Sequence, residues 1–242
     1  MNKSIRIGML TPSSNTVLEP VCAEMLRGLP GVTAHFGRFE VTEISLGERS
    51  QRQFEMTPMI AAARLLADAQ VDVIGWNGTS ASWLGFERDA ALCSEIEAAT
   101  GIKAVTSVLA LVEILNAMGV TRLGLVSPYI DDVQARIMAT FAASGIEVVS
   151  ERHCGITRNF AFAEVPPAEI ARMTRDVAKD RPQAITVLCT NLMGAPLAEE
   201  LEREIDLPIL DSISVVVWKA LKTAGIDPKL VKGWGRLFRE LH

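Results

Sequence analysis

Short apolar runs rich in β-branched residues, each closed by a polar or glycine-bearing turn, alternate along the chain with longer stretches of helical period. The runs predict strands at 5–10, 32–41, 71–76, 102–105, 122–126, 146–153, 184–188 and 208–210. Between them, apolar spacing predicts helices at 17–29, 56–70, 87–100, 107–118, 166–179, 196–205 and 212–224. Ile60, Leu65 and Leu66 form the expected apolar side of the 56–70 helix, residues after 41 read as irregular through Ser50, and 233–238 forms a compact tail. The run Ala184-Ile185-Thr186-Val187-Leu188 does not alternate, as in strands covered on both faces. Strand following helix throughout specifies an α/β fold with parallel sheets.

The pattern repeats. Arg6-Ile7-Gly8-Met9-Leu10-Thr11-Pro12 recurs as Arg122-Leu123-Gly124-Leu125-Val126-Ser127-Pro128, and Ile74-Gly75-Trp76-Asn77-Gly78-Thr79-Ser80 has the form of Ile185 through Asn191. The third match, Val105 through Leu111 with Leu210 through Val216, is looser. All three keep one order at a separation of about half the chain, as a duplicated unit would. The reading is two pseudo-symmetric halves facing a shared cleft: residues 1–106, closed by the C-terminal helix and tail at 213–242, and residues 107–212.

Composition removes several function classes. With 242 residues, 49% of them hydrophobic, the chain can bury a full core. A net charge of −5 with scattered basic residues gives no footprint for nucleic acid. The most apolar stretch, 105–120, contains Glu113 and Asn116 and reads as a buried helix rather than a membrane span. A strand almost at the N-terminus leaves no place for a secretory signal, and four cysteines without metal-type spacing fit a reducing cytoplasm. No phosphate loop, dinucleotide fingerprint or nucleophile elbow is present, so neither a cofactor nor a metal is expected. Nothing in the sequence fixes the oligomeric state.

Candidate chemistry gathers at strand ends, where open parallel sheets offer their binding crevice. Cys189, Thr190 and Asn191 follow one strand; Gly78, Thr79 and Ser80 follow its counterpart. Hydroxyls in Thr11-Pro12-Ser13-Ser14-Asn15-Thr16 can cap the following helix or, with Asn15, hold an anion, and both can be true. Tyr129, the single tyrosine, either points into the crevice or packs on the surface. Trp83 is placed either at the pocket wall or among helix-packing aromatics, and Phe86 is expected among the latter. Cys93 reads as a buried, inert thiol; Asp131 and Asp132 sit in a first helical turn, where acids are favourable without a metal. His35, His153 and His242 are unclustered. The loop Gly155-Ile156-Thr157-Arg158-Asn159-Phe160 could close over the site, with Thr157 and Asn159 as lid residues. Cys189 is either a small core residue or a working acid–base thiol, and its place in the repeat favours the second.

Taken together with Tyr129-Ile130-Asp131-Asp132 and Gly233-Trp234-Gly235-Arg236-Leu237-Phe238, these motifs resemble the aspartate/glutamate racemase superfamily, in its arylmalonate decarboxylase and maleate cis–trans isomerase branch. The resemblance spans nearly the whole chain and implies an active site between two α/β halves. Two-thiol members carry a cysteine in each half, whereas the decarboxylases have glycine at the first position, as Gly78 is here. By that likeness Thr79, Ser80, Tyr129 and the Thr190 amide hold one carboxylate of a substituted malonate. Cys189 then protonates the enediolate left by loss of carbon dioxide. A cysteine at position 78 would face the same carbon from the other side. The Ser14-Asn15 turn is closer to the maleate isomerases, where the asparagine holds a substrate carboxylate; Asn191, Arg158 and Asn159 suggest a polar pocket and a polar mono- or dicarboxylate substrate. A maleate isomerase or racemase, and a non-catalytic carboxylate binder, are the alternatives.

Overall fold

A computed structural model describes residues 4–241. Eight strands are present among them: β1 (Ile5–Pro12), β2 (Val32–Phe39), β3 (Val73–Trp76), β4 (Ala104–Thr106), β5 (Arg122–Ser127), β6 (Glu147–His153), β7 (Ala184–Val187) and β8 (Ile209–Asp211). They form two four-stranded parallel sheets of identical topology, β2-β1-β3-β4 and β6-β5-β7-β8. The α/β architecture and the duplication read from the sequence are both present. Even the registers correspond: Trp76 lies beside Thr106 in one sheet, and Val187 beside Asp211 in the other.

Burial follows position in the sheet. Every residue of β3 and β7 is buried, as expected of central strands with helices on both faces. β2, at an edge, is mostly half-buried. The halves join through the third repeated segment, where helices Ser107–Ala117 and Ser212–Thr223 pack on each other. Their equivalent first residues meet directly, Ser107 Oγ donating to the Ser212 carbonyl at 2.9 Å. The equivalent caps differ in chemistry: Thr106 Oγ1 accepts from Leu109 N, and Asp211 Oδ1 accepts from Ile213 N and Ser214 N. Phe86 packs as expected of an aromatic between helices, its ring 5.5 Å from that of Phe141 in the other half.

Several local readings change. Helix Met56–Asp68 buries Met59, Ala62, Ala63 and Leu66, which leaves Leu65 at 70% exposure. The inward face is thus set one position away from Leu65, and alanines do the close packing against β1 and β2. The first helix is shorter than its apolar pattern, Leu18–Leu26, because residues beyond it turn back into β2. Short helices Glu48–Arg52, Ala81–Leu84 and Asn159–Phe162 occupy stretches too brief to show periodicity. Cys93 is half-buried, and burial, with Asp89 and Glu97 nearby, pushes its thiol up to about 12. No described helix is long and apolar enough to cross a membrane.

Close helix-to-sheet contact fixes Gly124 in β5: an added Cβ would lie 2.4 Å from Val177, 3.1 Å from Ile185 and 3.2 Å from Pro182. Gly124→Ala should therefore destabilise the protein by about 1–3 kcal/mol, the usual penalty for overpacking. Gly28→Ala, which meets open space, serves as the control and should stay within about 0.5 kcal/mol of the parent in urea unfolding.

Candidate active site

Parallel strands in matching sheets deliver their C-terminal ends to one place. The turn after β3 brings Gly78, Thr79 and Ser80; the turns after β5 and β7 bring Tyr129, and Cys189 with Thr190; Pro12 ends β1. These residues line one cavity, roofed by Val41, Ile44 and Phe54 from the segment after β2 and by Asn159 from the segment after β6. Trp76 and Trp83 complete the wall, so Trp83 takes the pocket position rather than the helix-packing one. The cavity is about 20 Å³, close to the room one water needs.

Cys189 is buried, its Sγ 3.3 Å from the Asn191 amide that donates to it. Burial pushes the thiol up to about 12, against the opposing pull of the Asn191 amide and the Tyr129 hydroxyl. The group is thus a thiol, not a thiolate, across the neutral range. Tyr129 is buried as well, which resolves its placement toward the crevice, and burial drives its phenol well up. Its hydroxyl meets Thr79 Oγ1 at 2.5 Å, with the Trp83 ring 5.3 Å and the Phe162 ring 5.6 Å from its own. One proton lies between the two hydroxyls, and the phenol is also a hydrogen-bond partner of the Cys189 thiol, so Thr79, Tyr129 and Cys189 form one chain.

Thr190 ties the halves together. Its Oγ1 donates to the Asn77 carbonyl at 2.9 Å and accepts from Asn15 Nδ2 at 3.1 Å. Asn15 also donates to the Thr190 carbonyl at 3.0 Å, while its Oδ1 accepts from Val17 N and Leu18 N. Both ends of the Asn15 amide are therefore engaged by protein, and it does not line the cavity. The same holds for Asn191, whose Oδ1 accepts from Thr16 N at 3.0 Å and whose Nδ2 donates to the Asn159 carbonyl at 2.7 Å. Ser14 donates to the Val41 carbonyl at 2.6 Å and accepts from Asn159 Nδ2 at 2.8 Å. The structure brings Cys189, Gly78, Thr79, Ser80, Tyr129, Thr190 and Asn159 to the cavity and keeps Asn15, Ser14 and Asn191 behind it.

The two roof segments are laced to each other. Ile44 N donates to the Thr157 carbonyl at 2.8 Å, and Asn159 N donates to the Thr42 carbonyl at 3.0 Å. Thr157 thus contributes backbone to the roof, and its exposed side chain faces away from the cavity lining. Arg158 is exposed, paired with Glu164 and stacked 5.8 Å from the Phe160 ring. The cavity is mixed in character: Pro12, Val41, Ile44, Phe54, Trp76 and Trp83 give it apolar walls beside the polar Thr79, Ser80, Tyr129, Asn159, Cys189 and Thr190, while Asn191 and Arg158 do not line it. Of the apolar walls, Val41 falls at the end of the expected 32–41 strand, which stops at Phe39, and Ile44 and Phe54 carry no sequence signal, since the fold of that segment over the site is set by distant contacts.

Gly78 has an unexpected neighbour. A Cβ built there would lie 2.0 Å from Trp76 Cζ2 and 2.5 Å from Cε2, so the indole fills the space a side chain would use. Trp76 is itself immobilised, fully buried and 5.1 Å from the Phe39 ring. Neither His35 nor His153 lines the cavity, and His242 lies outside the described residues; His153 bridges Glu151 at 2.7 Å and Asp131 at 2.6 Å, which also accounts for Asp131. Asp132, in the first turn of helix Asp131–Ala143, accepts from Val133 N through Oδ1 at 2.6 Å. Among the described residues no cluster of His, Cys, Asp or Glu could hold a metal ion.

The similarity of this arrangement to known proteins extends over the whole chain. It is 30% identical over 237 residues to an arylmalonate decarboxylase of Bordetella bronchiseptica, covering 97% of this chain and 96% of that one. It is 26% identical over 251 residues to a maleate isomerase of Pseudomonas putida, covering 98% of each. The fold matches the maleate isomerase of Pseudomonas putida S16, solved with maleate, at a TM-score of 0.88 and 22% identity over 98% of each chain. A liganded double mutant of arylmalonate decarboxylase, glycine to cysteine and cysteine to serine, matches at 0.85 and 26% identity, over 98% of this chain and 99% of that one. A family model described as arylmalonate decarboxylase covers residues 8–238, and the chain belongs to that family.

Proposed function

We propose that the protein is a cofactor-free decarboxylase of substituted malonates in which Cys189 is the proton donor. The observation that carries this reading is a single buried thiol on a cavity that Gly78 also lines, with the space beside Gly78 filled by the Trp76 indole. One carboxylate of the substrate binds to the Thr79–Tyr129 hydroxyl pair, Ser80 and the Thr190 backbone N–H, because the Thr190 hydroxyl is already engaged. The other lies against the apolar wall, where the charged form is poorly solvated and loss of neutral carbon dioxide is favoured. The electrons of the breaking carbon–carbon bond pass into the retained carboxylate as an enediolate, held by those donors. The Sγ–H proton of Cys189 then goes to the α-carbon, and water returns a proton to sulfur. The net change is malonate dianion plus a proton to monocarboxylate plus carbon dioxide.

Two features support decarboxylation over isomerisation. A solved maleate isomerase of Nocardia farcinica, a cysteine-to-serine mutant, carries a covalently bound succinylcysteine intermediate on a cysteine that remains. By the resemblance to two-thiol relatives, this chain has Gly78 where they carry a second thiol, and burial keeps Cys189 protonated, a state suited to donating a proton. Asn15, the residue that pointed toward a dicarboxylate isomerase, spends its amide on Thr190 and on the helix start. Walls of Val41, Ile44, Phe54 and Trp83 favour an apolar α-substituent. With about 20 Å³ available, binding must part the laced roof segments, which sequester the reaction once they re-form.

Cys189→Ala is expected to lower carbon dioxide release from a substituted malonate by roughly 10²–10⁴-fold or more while leaving the fold intact. A variant retaining the parent rate would remove Cys189 from the mechanism. Gly78→Cys alone should lose decarboxylation without gaining racemisation, since the new side chain collides with Trp76. Adding Trp76→Val makes room, and exchange of the product α-proton for deuterium, with loss of optical rotation, should then appear. Racemisation by Gly78→Cys alone would show that the indole does not guard that face.

A further inference from the structure

Beside the reaction cavity lies a second, of about 10 Å³, and the two share Phe54, Trp76 and Ser80 as a common wall. Its far side is Asp89, from the first turns of helix Phe86–Thr100. Asp89 is 2% exposed, and its Oδ2 is buried with no hydrogen-bond partner. Trp76 Nε1 is buried and unpartnered too. Buried polar groups are normally paired, and two orphans on one small cavity require an explanation.

We propose that Asp89 is a positioning residue for the reaction, acting on Ser80 through one buried water held between the Asp89 carboxyl, the Trp76 indole N–H and the Ser80 hydroxyl. A buried water needs about 10–15 Å³ and two to four polar partners, and this cavity offers that room with those three groups. Of the other walls, Met56, Met59, Leu84 and Leu92 are apolar, and Arg88 is the one further polar group, its Nη2 donating to the Phe54 carbonyl at 3.2 Å. Ser80 is the natural receiver. Its carbonyl accepts from Trp83 N and Leu84 N, which fixes its backbone at the start of helix Ala81–Leu84 and leaves only the hydroxyl rotor to be set. A water donating to Ser80 Oγ turns the hydroxyl proton away from Asp89 and toward the reaction cavity, where the enediolate oxygen needs a donor. Burial raises the Asp89 carboxyl to about 7, opposed by the Thr106 hydroxyl, so near neutral pH carboxyl and carboxylate are both populated, and each leaves an oxygen to accept from the water.

This inference rests on the assignment of Ser80 as a substrate donor, and the test separates the two. A high-resolution crystal structure should show an ordered water within hydrogen-bond distance of Asp89 Oδ2 and Ser80 Oγ, and a dry cavity would overturn the proposal. Kinetics are measured on both phenylmalonate and maleate. On the substrate that is turned over, Asp89→Leu should lower kcat roughly tenfold with KM nearly unchanged, less than the 10²–10³ expected for losing an oxyanion donor outright. Asp89→Asn, which keeps an acceptor and a donor there, should restore kcat to within about threefold of the parent. In a Ser80→Ala background, Asp89→Leu should have no further effect. Losses that multiply with those of Ser80→Ala, or that are equal for Asn and Leu, mark Asp89 as purely structural. Turnover of maleate alone, with the coupling intact, would remove the decarboxylase reading and leave the Asp89–Ser80 bridge standing.

Discussion

Everything at this site depends on a buried hydrogen-bond clamp across the two halves. Thr190, from the half that carries the thiol, receives Asn15 Nδ2 and reaches the Asn77 carbonyl, both from the opposite half. Cys189 and Gly78 are the immediate neighbours of those two contact points, so the clamp sets the separation across the cavity. Its members are buried, and breaking one partner strands the others without water to replace it. Asn191 extends the same clamp to the roof through Asn159. Position of the thiol, closure of the roof and integrity of the interface are thus one network rather than three independent features.

Burial does the second part of the work. In an enclosed cavity the Cys189 thiol holds its proton, and hydroxyl dipoles act more strongly than they would in water. These effects reinforce one another only while the roof is shut. The tyrosine shows the same logic: packed between the Trp83 and Phe162 rings, it stays a neutral phenol able to share a proton with Thr79.

The sheet topology was readable because duplicated strands repeat both their apolar character and their closing turns, and because central strands cannot hide their lack of alternation. Cys189, Thr79, Ser80 and Tyr129 were readable for the same reason, since strand ends in parallel sheets converge by geometry. What escaped depended on side chains meeting across long sequence distances. Asn15 was visible as a polar residue at a helix start, but only the fold shows that Thr190, far along the chain, consumes its donors. Arg158 and Asn159 together suggested a polar lid, yet at the start of helix Asn159–Phe162 they part, Arg158 pairing with Glu164 and Asn159 donating to Ser14. Trp76 read as a strand residue; that its ring folds over Gly78 has no local signature.

That overlap of ring and glycine constrains how such a site could change over generations. A side chain arriving at position 78 while the indole remains meets an aromatic ring packed against Phe39, so room for it has to come from a displaced or smaller residue 76. Positions 76 and 78 of this chain are therefore coupled, and a change at the second carries a demand on the first.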